Sequence, residues 1–245
     1  MTQSLLAKIA LGVLAIVLLW FLLTFVWIYY HYRQALVLIE STEPFERSGK
    51  SGQILVLGDS IAYGTGTTSP ANSLAGKFAA NFPDHSVTNL AKNGKTTTEL
   101  AAEVQNLGDE KYDLILIVIG GNDIMHVSND LDQTAKNLQT IYGYASAHSD
   151  NTVAISTGNF KYTSLFPWPL PIILSNRSVT VRDSAAEAAS AHNNVHYIDM
   201  VEYNERESFT HVQEAPDRLH LSDEGVEYWM SAVKQATDNL NFEQQ

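Results

Sequence analysis

Cysteine is absent from the 245 residues, which excludes disulfides, thiol nucleophiles and Cys-based zinc or iron-sulfur sites. Basic residues are scarce: 15 Lys and Arg stand against 27 Asp and Glu, for a formal charge of -12. No run of Lys and Arg can track a phosphate backbone, so nucleic acid is not an expected partner. Long glycine-rich loops are missing too, since Gly64-Thr65-Gly66 is too short for a dinucleotide or Walker phosphate loop. The histidines His85, His126, His148, His192, His196 and His211 contain no HExxH pair. His192 and His196 are four apart but read as a helix end running into a strand. No cofactor and no metal is expected.

Charge is also missing from Ile9–Tyr30 (IALGVLAIVLLWFLLTFVWIYY), and here the absence is a positive signal. As a helix this stretch is about 30 Å long, the thickness of a bilayer's hydrocarbon core. A cleaved signal peptide has a shorter apolar region and a small-x-small site behind it, whereas this segment ends in Trp27, Tyr29, Tyr30 and Tyr32, which suit an interfacial belt. The reading is a retained single-pass membrane anchor. Lys8 and the amino terminus flank one side and Arg33 the other, and the domain is placed on the extracytoplasmic side.

The remainder divides into a tail (residues 1–8), the transmembrane helix (9–30), a juxtamembrane tether (31–52) without clear period, and one domain (53–245). A chain that is 45% hydrophobic at this length suffices for one sizeable core. Within the domain, short apolar runs alternate with longer amphipathic stretches. Strands are predicted at Ile54–Leu57, Ser86–Leu90, Leu114–Ile119, Thr152–Ser156 and Val195–Ile198. Helices have start signals at Ser69 before Pro70, at Thr96 with Glu99, and at Ser222 before Asp223 and Glu224. Leu131, Ala135, Leu138, Tyr142 and Ala145 recur on one helical face. The expected fold is a three-layer α/β/α sandwich around a mainly parallel five-stranded sheet.

Polar clusters follow three of these strands and precede the last helix. ILVLGDS runs into Gly58-Asp59-Ser60; NLAKNG ends on Gly94; IGGND contains Asn122; DRLH brings Asp217 and His220. The carboxyl edge of a parallel sheet is where ligands bind. A serine hydroxyl is a poor nucleophile without an adjacent base, and His220 suits that role because imidazole titrates near neutrality. Asp217, three residues earlier, is placed to hold the other ring nitrogen. The Ser60 amide, the Gly94 amide and the Asn122 side-chain amide are candidate donors to a tetrahedral oxyanion. Asp59 and Asp123 are assigned to holding local backbone. Each block alone also fits an ordinary turn, a capping residue or a satisfied histidine.

All four blocks in this order resemble the GDSL or SGNH hydrolase family, whose second name lists the Ser, Gly, Asn and His of four separated blocks. The likeness covers about Ile54 to the end of the chain. It implies a serine esterase with Ser60, Asp217 and His220 as catalytic residues and Ser60, Gly94 and Asn122 as the oxyanion hole. The Gly-x-Ser-x-Gly elbow of α/β-hydrolases is absent, because Ile61-Ala62 follow Ser60.

Phe160–Ile173 is an apolar, aromatic loop whose three prolines keep its start from being helical. Phe166, Trp168 and Leu170 are its candidate substrate-binding residues: an acyl-chain wall, a membrane-facing flap, or a cover over the core. With the likeness of LVLGDSIAYGTG and IGGNDIM to the lysophospholipase and thioesterase branch, the expected substrate is a lipid or acyl ester, or a thioester. The alternatives are a carbohydrate O-acetyl esterase or acetyltransferase of the cell envelope and a silent, anchored binding module.

Overall fold

The computed structural model describes residues 3–237. Met1 and Thr2 of the expected tail, and residues 238–245 of the expected domain, lie outside the described residues. Five parallel strands, β1 (Gln53–Gly58), β2 (Ser86–Asn89), β3 (Tyr112–Val118), β4 (Ser149–Ile155) and β5 (Val195–Ile198), form one sheet in the order β2-β1-β3-β4-β5. The strands are buried on both faces, which is why Ile54–Leu57 and Leu114–Val118 read as unbroken apolar runs.

Alternate residues of each strand point to opposite layers. Ile54, Val56, Leu116 and Val118 pack against α2 (Ser60–Tyr63), α3 (Leu74–Ala79) and α9 (Asp223–Thr237). Leu55, Leu57, Ile115 and Ile117 pack against α4 (Thr97–Val104), α6 (Leu131–His148) and α7 (Leu170–Ser190). Each such side chain contributes about 1.5–3 kcal/mol by leaving water. Two short helices, α5 (Gly121–Met125) and α8 (Met200–Arg206), follow β3 and β5. The expected α/β/α sandwich is therefore present.

Several helix starts sit where the capping residues place them. The Thr96 hydroxyl accepts from the Glu99 amide, and the Glu99 carboxylate accepts from the Thr96 amide in return. Ser222 accepts from the Gly225 amide at the start of α9. The start expected at Ser69 is only a 3-10 turn, Pro70–Asn72. The α-helix begins after Ser73, whose hydroxyl accepts from the Gly76 amide. In the Phe160–Ile173 loop, the helix α7 starts earlier than expected, at Leu170, because Pro171 falls in the first turn, where no intrahelical N–H is needed.

The largest departure is at the amino terminus. The apolar helix, α1 (Gln3–Ser41), does not end at Tyr30 but runs through the first part of the expected tether. Gln34, Ala35, Leu36 and Leu38 sustain it as good helix formers. One face, carried by His31, Gln34, Ala35 and Leu38, is also covered by the domain. Trp27 donates its indole N–H to the Leu165 carbonyl at 3.1 Å, and His31 Nδ1 lies 3.1 Å from the Pro216 carbonyl. The rest of the segment is docked as well. Arg47 and Val87 form an antiparallel bridge on the outer edge of β2, and the Arg47 guanidinium donates to the carbonyls of His85, Ala79 and Phe82. This closes a sheet edge that would otherwise offer unpaired backbone to another chain.

Candidate active site

In this strand order the chain reverses direction between β1 and β3, and the crevice outside their carboxyl ends is where open α/β sheets bind ligands. The Asp59 amide donates to the Val118 carbonyl at 3.0 Å, and the Lys92 amide donates to the Gly58 carbonyl at 3.1 Å. The end of β1 is thereby laced to the end of β3 and to the loop after β2.

Ser60 is the first residue of α2, half-buried, with Asp59 as its N-cap accepting from the Ile61 amide at 3.1 Å. Its hydroxyl has no hydrogen-bond partner among the described residues. The turn after α2 presses on the other side of the crevice. A Cβ on Gly66 would lie 2.9 Å from the His220 Cβ and 2.4 Å from the Leu221 carbonyl oxygen, so only glycine permits this approach. His220 is thereby brought against the turn that follows the Ser60 helix, with no hydrogen bond between its ring and the Ser60 hydroxyl.

His220 and Asp217 are joined directly, with Nδ1 2.5 Å from Oδ2. The other oxygen, Oδ1, accepts the His220 amide at 3.0 Å and the Leu219 amide at 3.1 Å. Arg218 makes the turn between them in the left-handed region, at φ 62°. Burial pushes the Asp217 carboxyl up, but the His220 hydrogen bond and charge, with the two backbone amides, outweigh it and hold the carboxyl below its ordinary range.

Gly94 sits at φ 77°, a backbone geometry that favours glycine, and a Cβ there would meet nothing within 4 Å. Asn122 lies in the first turn of α5, buried, and donates one amide hydrogen to the Lys95 carbonyl at 3.0 Å. That bond ties the Gly94 loop to the Asn122 loop. Neither the Ser60 amide nor the Gly94 amide has an acceptor among the described residues. The fold thus gathers two unspent backbone donors, and the side-chain amide of Asn122, at the ends of three adjacent strands.

Two carboxylates behind the site differ in their work. Asp59 holds its own turn, as expected. Burial raises its carboxyl to about 6, against the pull of the Ile61 amide, the His220 charge and the Gly121 amide, while Asp123 adds to the rise. Asp123 reaches farther than its own loop, accepting from the Thr97 amide at 2.9 Å and the Thr97 hydroxyl at 2.8 Å. Thr97 donates in turn from the start of α4, so α4 and α5 are fixed together.

The candidate substrate loop is divided. Phe166 packs partly buried against the core, its ring 6.2 Å from that of Phe160. Trp168 is 72% exposed, and Leu170 is half-buried at the start of α7. The three therefore do not line one enclosed pocket. A cavity of about 440 Å³ opens instead beside Gly94, with Lys92, Asn93, Glu99, Glu103 and Asn106 in its wall.

Sequence reasoning did not find Arg177. From α7 its guanidinium donates to the carbonyls of Asp123, Ile124, His126, Val127 and Asn129, gathering the turn behind Asn122. A lone arginine on a helix carries no signal for such a role.

Comparison with known proteins agrees with this fold. No curated protein matches the chain. Among solved structures, LAE5, an alpha/beta hydrolase enzyme from the metagenome of Lake Arreo in Spain, is 21% identical over 79% of this chain and 98% of its own, with a TM-score of 0.60. Axe2, an acetylxylan esterase from Geobacillus stearothermophilus, is 20% identical over 80% and 99%, with a TM-score of 0.57. The lipase/acylhydrolase from Enterococcus faecalis is 22% identical over 76% and 95%, with a TM-score of 0.58. At these identities the likeness is one of fold. A sequence model of the GDSL-like lipase/acylhydrolase family matches residues 56–228, which is most of the chain beyond the apolar helix, and the chain belongs to that family.

Proposed function

We propose that this hydrolase cleaves carboxylic esters or thioesters through an acyl-enzyme on Ser60. The observation that carries the reading is the Asp217–His220 pair, 2.5 Å apart and packed against Gly66 in the turn that follows the Ser60 helix. His220 Nε2 takes the Ser60 proton as Oγ attacks the carbonyl carbon, while Asp217 accepts from Nδ1–H and stabilises the imidazolium. The carbonyl oxygen becomes an oxyanion held by the Ser60 and Gly94 amides and the second amide hydrogen of Asn122. Collapse expels the alcohol or thiol, which takes the proton from His220. Water, deprotonated by His220, then attacks the acyl carbon; the bond to Ser60 Oγ breaks, the carboxylic acid leaves and His220 returns the proton to Oγ.

The substrate in this reading is a lipid or acyl ester. Support comes from the apolar helix α1, which is long and apolar enough to cross a membrane, and from exposed Trp168 and Ile172, which follow the Ser164 loop bonded to Glu214 and His211. We place the domain on the extracytoplasmic side. An alkaline phosphatase fused after Gln245 is active in that case and silent in the opposite orientation.

A second reading is favoured by one observation. The cavity beside Gly94 is walled by Lys92, Asn93, Glu99, Glu103 and Asn106, polar groups suited to a carbohydrate, and Axe2 is an acetylxylan esterase. A chain-length series of p-nitrophenyl esters tests the choice. A lipid esterase turns over long acyl chains faster than acetate, and a carbohydrate deacetylase accepts acetate alone. In both cases Ser60→Ala abolishes turnover, whereas a silent binding module shows none to begin with.

A further inference from the structure

The docking of α1 fixes the height of the active-site edge. From Lys8 to Trp27 the helix rises about 29 Å at 1.5 Å per residue, close to the hydrocarbon thickness. With Lys8 at one headgroup layer, Trp27 stands at the other. That is where contact with the domain begins: Trp27 bonds the Leu165 carbonyl, and His31, one turn on, meets the Pro216 carbonyl beside Asp217. The Leu165 loop is further locked to the loop that carries Asp217 and His220. The Ser164 amide donates to Glu214 Oε1 at 2.6 Å, and the Ser164 hydroxyl lies 2.5 Å from His211 Nδ1. Hydrogen bonds therefore join α1, the Leu165 loop and the loop of Asp217 and His220 to one another.

Large apolar side chains are exposed on this same edge. Trp168, Ile172 and Ile173 follow Leu165, and Val212 neighbours His211 across the Ser164 bond. Elsewhere on the described domain, outside α1, only Val127 is a comparably exposed large apolar side chain. It too belongs to this region, because its carbonyl accepts from Arg177, one turn along α7 from Ile173. Exposed apolar groups gathered on one edge mark an interaction surface, and tryptophan suits the headgroup boundary.

We infer that this edge rests in the headgroup layer of the same membrane that α1 spans, with Trp168 as an interfacial anchor, so that the Ser60 crevice opens onto the bilayer surface. The inference rests on the reading of α1 as a membrane anchor and deepens the lipid-ester proposal. The substrate would be an ester lying in that leaflet, its carbonyl at headgroup depth.

The absence of cysteine makes a direct test available. Ile172→Cys in the full chain, labelled with a polarity-sensitive nitrobenzoxadiazole and reconstituted in phosphatidylcholine vesicles, reports depth at the proposed face. Ser190→Cys, exposed at the far end of α7 and about 27 Å away along the helix, is the reference. A zwitterionic lipid avoids repulsion from a chain of charge -12. The label at 172 is expected to emit to the blue of the label at 190 and to be quenched several-fold more by brominated acyl chains. Ile173→Cys, which leaves Trp168 in place, gives the same reading at a second position should Ile172→Cys fold poorly. If the chain floats with the vesicles but both labels behave as water-exposed, the inference is wrong and the anchor stands. If the chain does not float with them, α1 is no anchor and the inference falls with it.

Discussion

The Asn122 side chain donates to the Lys95 carbonyl at 3.0 Å, so the loops after β2 and β3 are held by the same amide proposed to meet the oxyanion. One hydrogen is spent on architecture and the other is free for catalysis. Asn122→Ala removes both. It is expected to lower kcat by about 10²–10³-fold with little change in KM, because the lost bond forms mainly in the transition state. Steady-state kinetics on p-nitrophenyl acetate, with circular dichroism to confirm the fold, decide it. A defect confined to KM would move Asn122 to substrate binding.

Asp217→Asn has a sharper chemical consequence. Oδ1 accepts two backbone amides, so the new NH₂ must occupy the Oδ2 position and donate to His220 Nδ1. That forces the ring proton onto Nε2, the nitrogen proposed to accept from Ser60. A loss in kcat on the order of 10⁴-fold is expected.

The same carboxyl supplies an acid limb to stability. Its folded pKa lies below the unfolded value, so the stabilisation is fully present above about pH 4, the unfolded pKa, and is lost as pH falls through the folded value. Urea midpoints measured from pH 6 down to pH 2 should show a decline that is smaller in Asp217→Asn. An unchanged decline would place the acid lability elsewhere.

Asp59 has the opposite sign. Its carboxyl is raised to about 6, so between about pH 4 and pH 6 the folded state holds a proton that the unfolded chain has released. Stability from this group falls as pH rises through that window, by on the order of 3 kcal/mol, and is level above it. Asp59→Asn should abolish that slope in urea titrations, whatever its effect on absolute stability. A wild-type curve without any such fall between pH 4 and pH 6 would contradict the assignment.

Much of this arrangement was legible in the residues. Ile54–Leu57 and Leu114–Ile119 declare buried parallel strands because no polar residue interrupts them, and three of the four polar blocks then fall at strand ends, the fourth before the last helix. Thr96 and Glu99 marked a helix start by a purely local exchange of hydrogen bonds. What was not legible depended on distant partners. α1 continues to Ser41 because the domain covers His31 and Leu38, and Arg47 is ordered because the edge of β2 offers it backbone. In sequence Asp123 reads as a local brace because its partner Thr97 lies 26 residues away. The Leu170 helix start was hidden by prolines that suit a first turn as well as they suit a loop.

Trp168 and Leu170 offer a test of the acyl preference. Replacing both with Ser should cut turnover of long-chain esters steeply and leave p-nitrophenyl acetate nearly unchanged, since each buried apolar group contributes about 1.5–3 kcal/mol only where a chain reaches it. Trp168 is mostly exposed, so its replacement does not open the core. Equal losses on both substrates would show that no acyl chain reaches these two side chains and would favour the carbohydrate reading.

The central claim is that Ser60 is an activated nucleophile. A fluorophosphonate reacts only with such a serine, and peptide mapping after labelling reads the modified residue directly. One adduct on the peptide containing Ser60, absent in Ser60→Ala and formed far more slowly in His220→Ala, is the expected result. A folded wild-type protein that takes no label, or that carries it on another residue, would contradict the account.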